Sequence, residues 1–222
     1  MKVNFSDEIR SACPAMRVMT VEADVVNSET SAELSALLDE VAAAIERTYR
    51  LEDIKLRPGI EATRLAYKAT GKDPNRYRPA SEQLCRRVVR GLGLYRVNTL
   101  VDIINVLSLE SGYSIGGFDR DSIEGDAVTL GVGREGEPYE GIGRGPLNIA
   151  GLPVYRDAVG GIGTPTSDNE RTKLSLSTRR LFMTVNIFAT EIPDEEFEAR
   201  TRELLTRFCN SKEIKFTTYE HI

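Results

Sequence analysis

Residues 98–110 restrict the fold of this chain more than any other segment. Read as a helix, NTLVDIINVLSLE is apolar on almost every side, through Leu100, Val101, Ile103, Ile104, Val106, Leu107 and Leu109. A helix that is hydrophobic nearly all round has to be buried among other elements. Yet Asn98, Asp102 and Asn105 recur at i, i+4 and i+7 and make one polar stripe along it. A polar group withdrawn from water costs about 1–3 kcal/mol unless it finds a partner. The stripe is therefore expected either to hold the following loop through hydrogen bonds or to line a pocket. In the second reading Asp102 faces a glycine turn at Gly116 and Gly117, which forms the pocket floor.

Around this helix the pattern is helices first and strands later. Residues 2–5 and 16–25 read as strands, and Ser6 caps a short helix to about residue 9. Thr30 is the expected cap of a long Ala- and Leu-rich helix over 31–49. Pro58 opens another, closed by Gly71, and after a polar loop Ser81 caps a basic helix that ends near Gly91. Beyond Gly112, short strands with glycine turns are expected at 126–133, 137–141, 152–157 and 180–190. A helix over 193–208 and a last strand at 214–219 follow. This order indicates α+β rather than a doubly wound sheet. No repeat or linker divides the chain, so one domain over 1–222 is expected, with a helical portion 1–112 packed on a strand-rich portion 113–222.

Composition removes several chemistries. The one histidine, His221, is the penultimate residue, which leaves any Ser/His/Asp or Cys/His triad to an ordinarily frayed end. Cys13, Cys85 and Cys209 are widely spaced without a CxxC. No zinc or other cofactor is therefore expected, and a reducing cytoplasm is. Cys85 reads as a small buried hydrophobe. There is no apolar run long enough for a membrane helix and no signal-peptide core at the N-terminus. The net charge of −5 argues against nucleic acid, but its distribution does not. Residues 68–96 hold eight cations against two acids, a net +6 that leaves −11 for the rest. Within that segment Arg86, Arg87, Arg90 and Arg96 are the expected RNA contacts, with a solvated helix face as the alternative.

The glycine clusters carry less information. Gly160-Gly161-Ile162-Gly163 is not followed by the lysine of a P-loop, and GIGRG at 141–145 reads as a hairpin or lid. Residues 168–172 mix acid, amide and guanidinium directly after the first cluster, as a charged surface turn or as part of a site.

The run NxLVDxxNxxxLExGxxxxxFDxDxIEG is carried by Leu100, Val101, Asp102, Asn105, Leu109, Glu110, Gly112, Phe118, Asp119, Asp121, Ile123, Glu124 and Gly125. It resembles the B3/B4 domain of the phenylalanyl-tRNA synthetase β subunit, the region that holds that enzyme's editing site. The likeness is strongest over 81–125 and continues loosely through 158–162 and 167–172. It implies a layered α+β fold with a β-sandwich-like mixed sheet flanked by helices, in a free-standing B3/B4 protein. It also implies that Arg171 lies near the pocket, reaching a phosphate or the terminal adenosine, with Glu170 on an ammonium. Three positions depart from the editing synthetases. Gly116 stands where they have histidine, and Tyr95 stands where they have arginine, with Arg96 one step on. Residues 178–180 lack the pocket glutamate that reads a tyrosine hydroxyl. The tyrosine-specific set does not carry over.

Two functions follow from this reading. The first is a cytoplasmic trans-editing factor that hydrolyses mis-acylated aminoacyl-tRNA without metal or histidine. Backbone N–H groups around Gly116 and Gly117, or Gly160 and Gly161, would form an oxyanion site. Asp102 or Glu170 would take the amino group, while Asn98, Asn105, Ser167, Arg171 and Thr172 hold the substrate for a positioned water. The second is a non-catalytic module whose cavity binds an amino acid, a small ligand or RNA.

Overall fold

Alternation along the strands and the all-round apolar surface of one helix set the layers. The computed structural model describes residues 1–220, and His221 lies outside them. The chain runs through β1 (Lys2–Phe5), α1 (Asp7–Ala12), β2 (Arg17–Asp24), α2 (Ala32–Thr48), α3 (Pro58–Ala69), α4 (Ala80–Val89) and α5 (Thr99–Ser111). Then come β3 (Ser114–Asp119), β4 (Ala127–Val132), β5 (Glu140–Gly141), β6 (Gly145–Pro146), β7 (Pro153–Arg156) and β8 (Gly161–Gly163). The chain continues through β9 (Arg180–Ile187), α6 (Asp194–Cys209) and β10 (Ile214–Glu220).

Two four-stranded sheets form, in the orders β1-β4-β7-β8 and β10-β2-β9-β3, with β5 and β6 as a separate small hairpin. The first sheet is mixed, because β1 runs parallel to β4 while the other pairs are antiparallel. Its inner face supplies Val3, Phe5, Val128, Leu130, Tyr155 and Ile162, which meet Val18, Phe118 and Phe182 of the second sheet. Period two sends the alternate residues Met19, Val21, Met183 and Val185 to the opposite face. There they pack on α2, α4, α5 and α6, so β2 and β9 are covered on both sides. The architecture is α+β: two packed sheets with a helical layer on one of them.

The central helix α5 is buried as its sequence requires. Asn98 caps it, with Oδ1 accepting from the Val101 N–H at 3.1 Å, and Gly112 ends it at φ 71°. Several expected details change. Gly116 and Gly117 do not form a turn; they lie inside β3, paired with Thr184 and Met183 of β9. Ser31, not Thr30, caps α2, because the Thr30 hydroxyl is committed to Asp102. Ser81 does not cap α4, which starts one residue earlier; its hydroxyl points inward to the Ser114 hydroxyl at 3.1 Å.

Candidate functional site

Three elements converge to fix the turn at residues 164–167. The Thr164 hydroxyl accepts from the backbone N–H groups of Thr166 and Ser167, closing the turn on itself. Tyr67 of α3 bonds the Thr166 hydroxyl at 2.8 Å, Tyr139 donates to the Ser167 carbonyl at 2.7 Å, and the Ala80 N–H at the start of α4 donates to the Pro165 carbonyl. The next residue, Asp168, is thereby aimed into the seam between the two sheets.

Its carboxylate Oδ2 accepts one bond there, from the Gly117 N–H of β3 at 3.1 Å, and it has no ion pair among the described residues. Glycine is required opposite it. A Cβ on Gly163 of β8 would stand 2.5 Å from the Phe118 ring and 2.8 Å from Asp168 Oδ1, closer than any ordinary contact. Withdrawal from water raises the Asp168 pKa to about 7, against a single opposing bond from Gly117. Burial, followed by the charge of Asp168, holds the Tyr139 phenol far above its usual range. On the same side, the Tyr155 hydroxyl donates to Asn186 Oδ1 at 2.9 Å, and Asn186 donates to the Ser114 carbonyl at 2.7 Å. The buried Thr184 hydroxyl beside Gly116 makes no hydrogen bond of good geometry among the described residues. A carboxyl held near neutrality, a backbone N–H and the Thr184 hydroxyl beside the Tyr155 phenol can together orient a cationic group and a water. The backbone hairpin of β5 and β6 covers this seam, with the Ile142 N–H donating to the Asp168 carbonyl at 3.1 Å.

The residues expected from sequence divide into those at the seam and those elsewhere. Gly116 and Gly117 are at it, although Ile104, Leu174 and Phe118 fill the space a Cβ would take there, so these glycines serve close packing rather than an open floor. Gly161 lies against the Tyr139 ring and Ser167 is in the fixed turn, whereas Gly160 has open space around it and donates to Asp157. Asp102 does not face the glycines. It is buried at the start of α5, where its carboxylate accepts from the Thr30 hydroxyl and, at 3.3 Å, from the Val97 N–H. Burial raises its pKa against those two bonds. Asn98 is used as the cap, and Asn105 is half-buried. Thus Asn98 and Asp102 find their partners at the start of α5 and in the segment before α2, and the residue facing Gly117 from α5 is Ile104.

Glu170 pairs with Lys173 on the surface, and Arg171 makes a bidentate pair with Asp157 while also reaching the Ser122 carbonyl. The Thr172 side chain is buried beneath them and reaches only the Ile162 carbonyl. The basic residues do not share a free face. Arg86 is held by Glu82 at 2.7 Å, Arg87 by the Leu92 and Gly93 carbonyls, and Arg96 by Asp39 and Ser35. Only Arg90 is left exposed, with no ion pair among the described residues. Cys85 is buried, its thiol pushed up by burial even though the Arg57 guanidinium donates to it at 3.3 Å.

Sequence reasoning missed Asp168 as a site residue, together with Tyr139, Tyr155, Thr184 and Asn186. One signal was available. Thr184 and Asn186 are polar at alternate positions in an otherwise apolar strand, which places both on the face of Phe182, toward the other sheet.

The arrangement is that of a two-sheet α+β domain with a polar seam in its interior. The B3/4 domain family model matches residues 62–206, well over half of the chain, and the chain belongs to that family. A phenylalanine–tRNA ligase beta subunit from Bartonella henselae is 31% identical over 106 residues, which is 47% of this chain but 13% of that protein. An N-terminal fragment of the phenylalanyl-tRNA synthetase beta subunit from Pyrococcus horikoshii aligns with 96% of this chain and 50% of its own length. Its TM-score is 0.47 at 12% identity. The chain therefore spans a small part of the synthetase subunit and half of that fragment.

Proposed function

We propose that this protein acts on aminoacyl-tRNA in the cytoplasm, hydrolysing the ester that joins a misplaced amino acid to the terminal ribose. Asp168 carries this reading: a carboxyl withdrawn from water, with no cation beside it among the described residues. An aminoacyl ester brings an ammonium two bonds from its carbonyl carbon. Seating that ammonium against Asp168 supplies the missing counter-charge and draws the acid back toward its ionised form. The ester carbonyl then lies by the Gly117 N–H and shares that donor with the carboxylate, whose charge the ammonium now meets. With Asp102 tied to Thr30 and Glu170 to Lys173, Asp168 takes the amino-group role. A water held by the Thr184 hydroxyl or by a free ribose hydroxyl is the nucleophile, and its proton leaves with the ribose oxygen.

The packing around Gly116 and Gly117 favours a second reading, a module that binds an amino acid without turning it over. Both readings use Asp168, and turnover separates them. Deacylation is measured on a panel of mis-charged tRNAs with the wild type and Asp168→Asn. The editing reading expects multiple turnover on at least one ester, falling about a hundredfold in the variant. Binding of a free amino acid with no turnover on any ester leaves the module reading. Turnover that Asp168→Asn does not alter removes Asp168 from the mechanism.

A further inference from the structure

Three arginines line one groove next to the turn that aims Asp168. The groove, of about 290 Å³, has Arg76, Arg78 and Arg144 on its walls and the buried Thr166 in its lining, with no acid among the lining residues. Each guanidinium has spare donors. Among the described residues Arg76 makes a ring contact, 5.8 Å from the Tyr77 centroid, and no ion pair. Arg78 stands 4.0 Å from Glu82, which Arg86 and Arg64 already hold at 2.7 and 2.8 Å. Arg144 donates to the neutral amide oxygen of Gln83, a weaker acceptor than any anion. Lys72 braces the wall by covering the Tyr77 ring at 3.7 Å while bonding the carbonyls of Asn148 and Ala150.

The larger cleft, about 590 Å³ beside β10, differs in kind. Glu22, Asp24 and Glu213 share its lining, and its Arg120 and Arg180 are spent on Asp126 and Asp121. Arg144 is further placed by its neighbours: it sits at the hairpin tip between Gly143 at φ 66° and Gly145 at φ 68°, a backbone course that glycine permits. The same hairpin bonds the Asp168 carbonyl through Ile142, so Arg144 is carried on a hairpin anchored to the turn that aims Asp168.

We propose that Arg76, Arg78 and Arg144 bind successive phosphodiester groups of a single-stranded RNA end leading into the seam. The inference rests on the tRNA reading above and names the site that would receive the strand. Three guanidiniums spread along one groove suit a chain of phosphates better than one phosphate, which a single bidentate arginine satisfies.

The test is binding of a single-stranded RNA oligonucleotide that carries no amino acid, across a salt series, read by fluorescence anisotropy. It is independent of hydrolysis, so its failure and the failure of the editing reading are distinguishable. With three contacts on a single strand, log affinity should fall against log salt with a slope of about −2. Arg76→Glu with Arg144→Glu should cut low-salt affinity about tenfold or more and flatten the slope to about −0.7, the share of the one remaining contact. Lys212→Glu with Lys215→Glu, in the larger cleft, should leave both unchanged. All four residues are at the surface, and unchanged melting temperatures confirm the variants are folded. Equal binding by wild type and the groove variant overturns the proposal. So does an equal loss in the control variant, which marks general attraction to a basic surface, or full competition by adenosine monophosphate, which marks a single-phosphate site.

Discussion

At the residue scale, Asp168 makes a prediction that does not depend on substrate. Its folded pKa, about 7, lies above the ordinary carboxyl value of 3.8. The protonated form is favoured in the fold, so its contribution to stability is complete below the unfolded pKa and is lost as pH rises through about 7. Asp168→Asn keeps an acceptor for the Gly117 N–H without the charge. The variant should therefore gain on the wild type by about 3 kcal/mol between mildly acid and mildly alkaline solution, as measured by urea unfolding at the two conditions. A stability gap that is the same at both pH values would show that no buried charge forms. The sequence presented Asp168 and Glu170 two positions apart in one polar turn, and nothing local distinguished them. What separates them is tertiary: Lys173 is within reach of Glu170, whereas glycines 117 and 163 close around Asp168.

Among the elements, α4 is held by one acid. Glu82 is wholly buried and takes Arg64 of α3 at 2.8 Å and Arg86 of its own helix at 2.7 Å. Arg64 also bonds the Pro74 carbonyl and Asn75, so Glu82 ties the loop that carries Arg76 and Arg78 to both helices. Glu82→Ala leaves two partly buried guanidiniums uncompensated and should cost about 3–5 kcal/mol in urea unfolding. A loss under about 1 kcal/mol would put this cluster with ordinary surface pairs. The sequence analysis expected Arg86 as an RNA contact, whereas Glu82 at i−4 takes it within the protein. Helix ends at Asn98, Gly112, Pro58 and Gly71 were legible, because capping is local chemistry. Strand β3 was not. A Gly-Gly pair gives no local preference for extended chain, and only its ladder with β9 makes it a strand.

On the scale of the whole molecule, β9 is the shared wall. One face belongs to the inter-sheet core through Phe182, and the other belongs to the helical layer through Leu181, Met183 and Val185. Neither core closes without it, so the helical and strand-rich portions should unfold together as one unit. Far-ultraviolet circular dichroism and tyrosine fluorescence should give coincident thermal transitions. Two resolved transitions would instead divide the chain into separately stable parts. The α+β class could be read from helices preceding strands. The partition of strands between two sheets could not, because it depends on partners far apart in the chain.

That same register has a consequence in time. Ala23 of β2 pairs with Ile214 of β10, roughly 190 residues later, and Lys2 of β1 pairs with Ala127 of β4. Both sheets are thus closed by contacts of long sequence separation, whose loop entropy is lost before any ladder energy is recovered. During synthesis β2 emerges early and its edge stays open until β10 leaves the ribosome. Meanwhile the β-rich run LFMTVNIF around β9 is exposed without its final neighbours. Slow assembly is the kinetic outcome expected of a core that two layers hold in common.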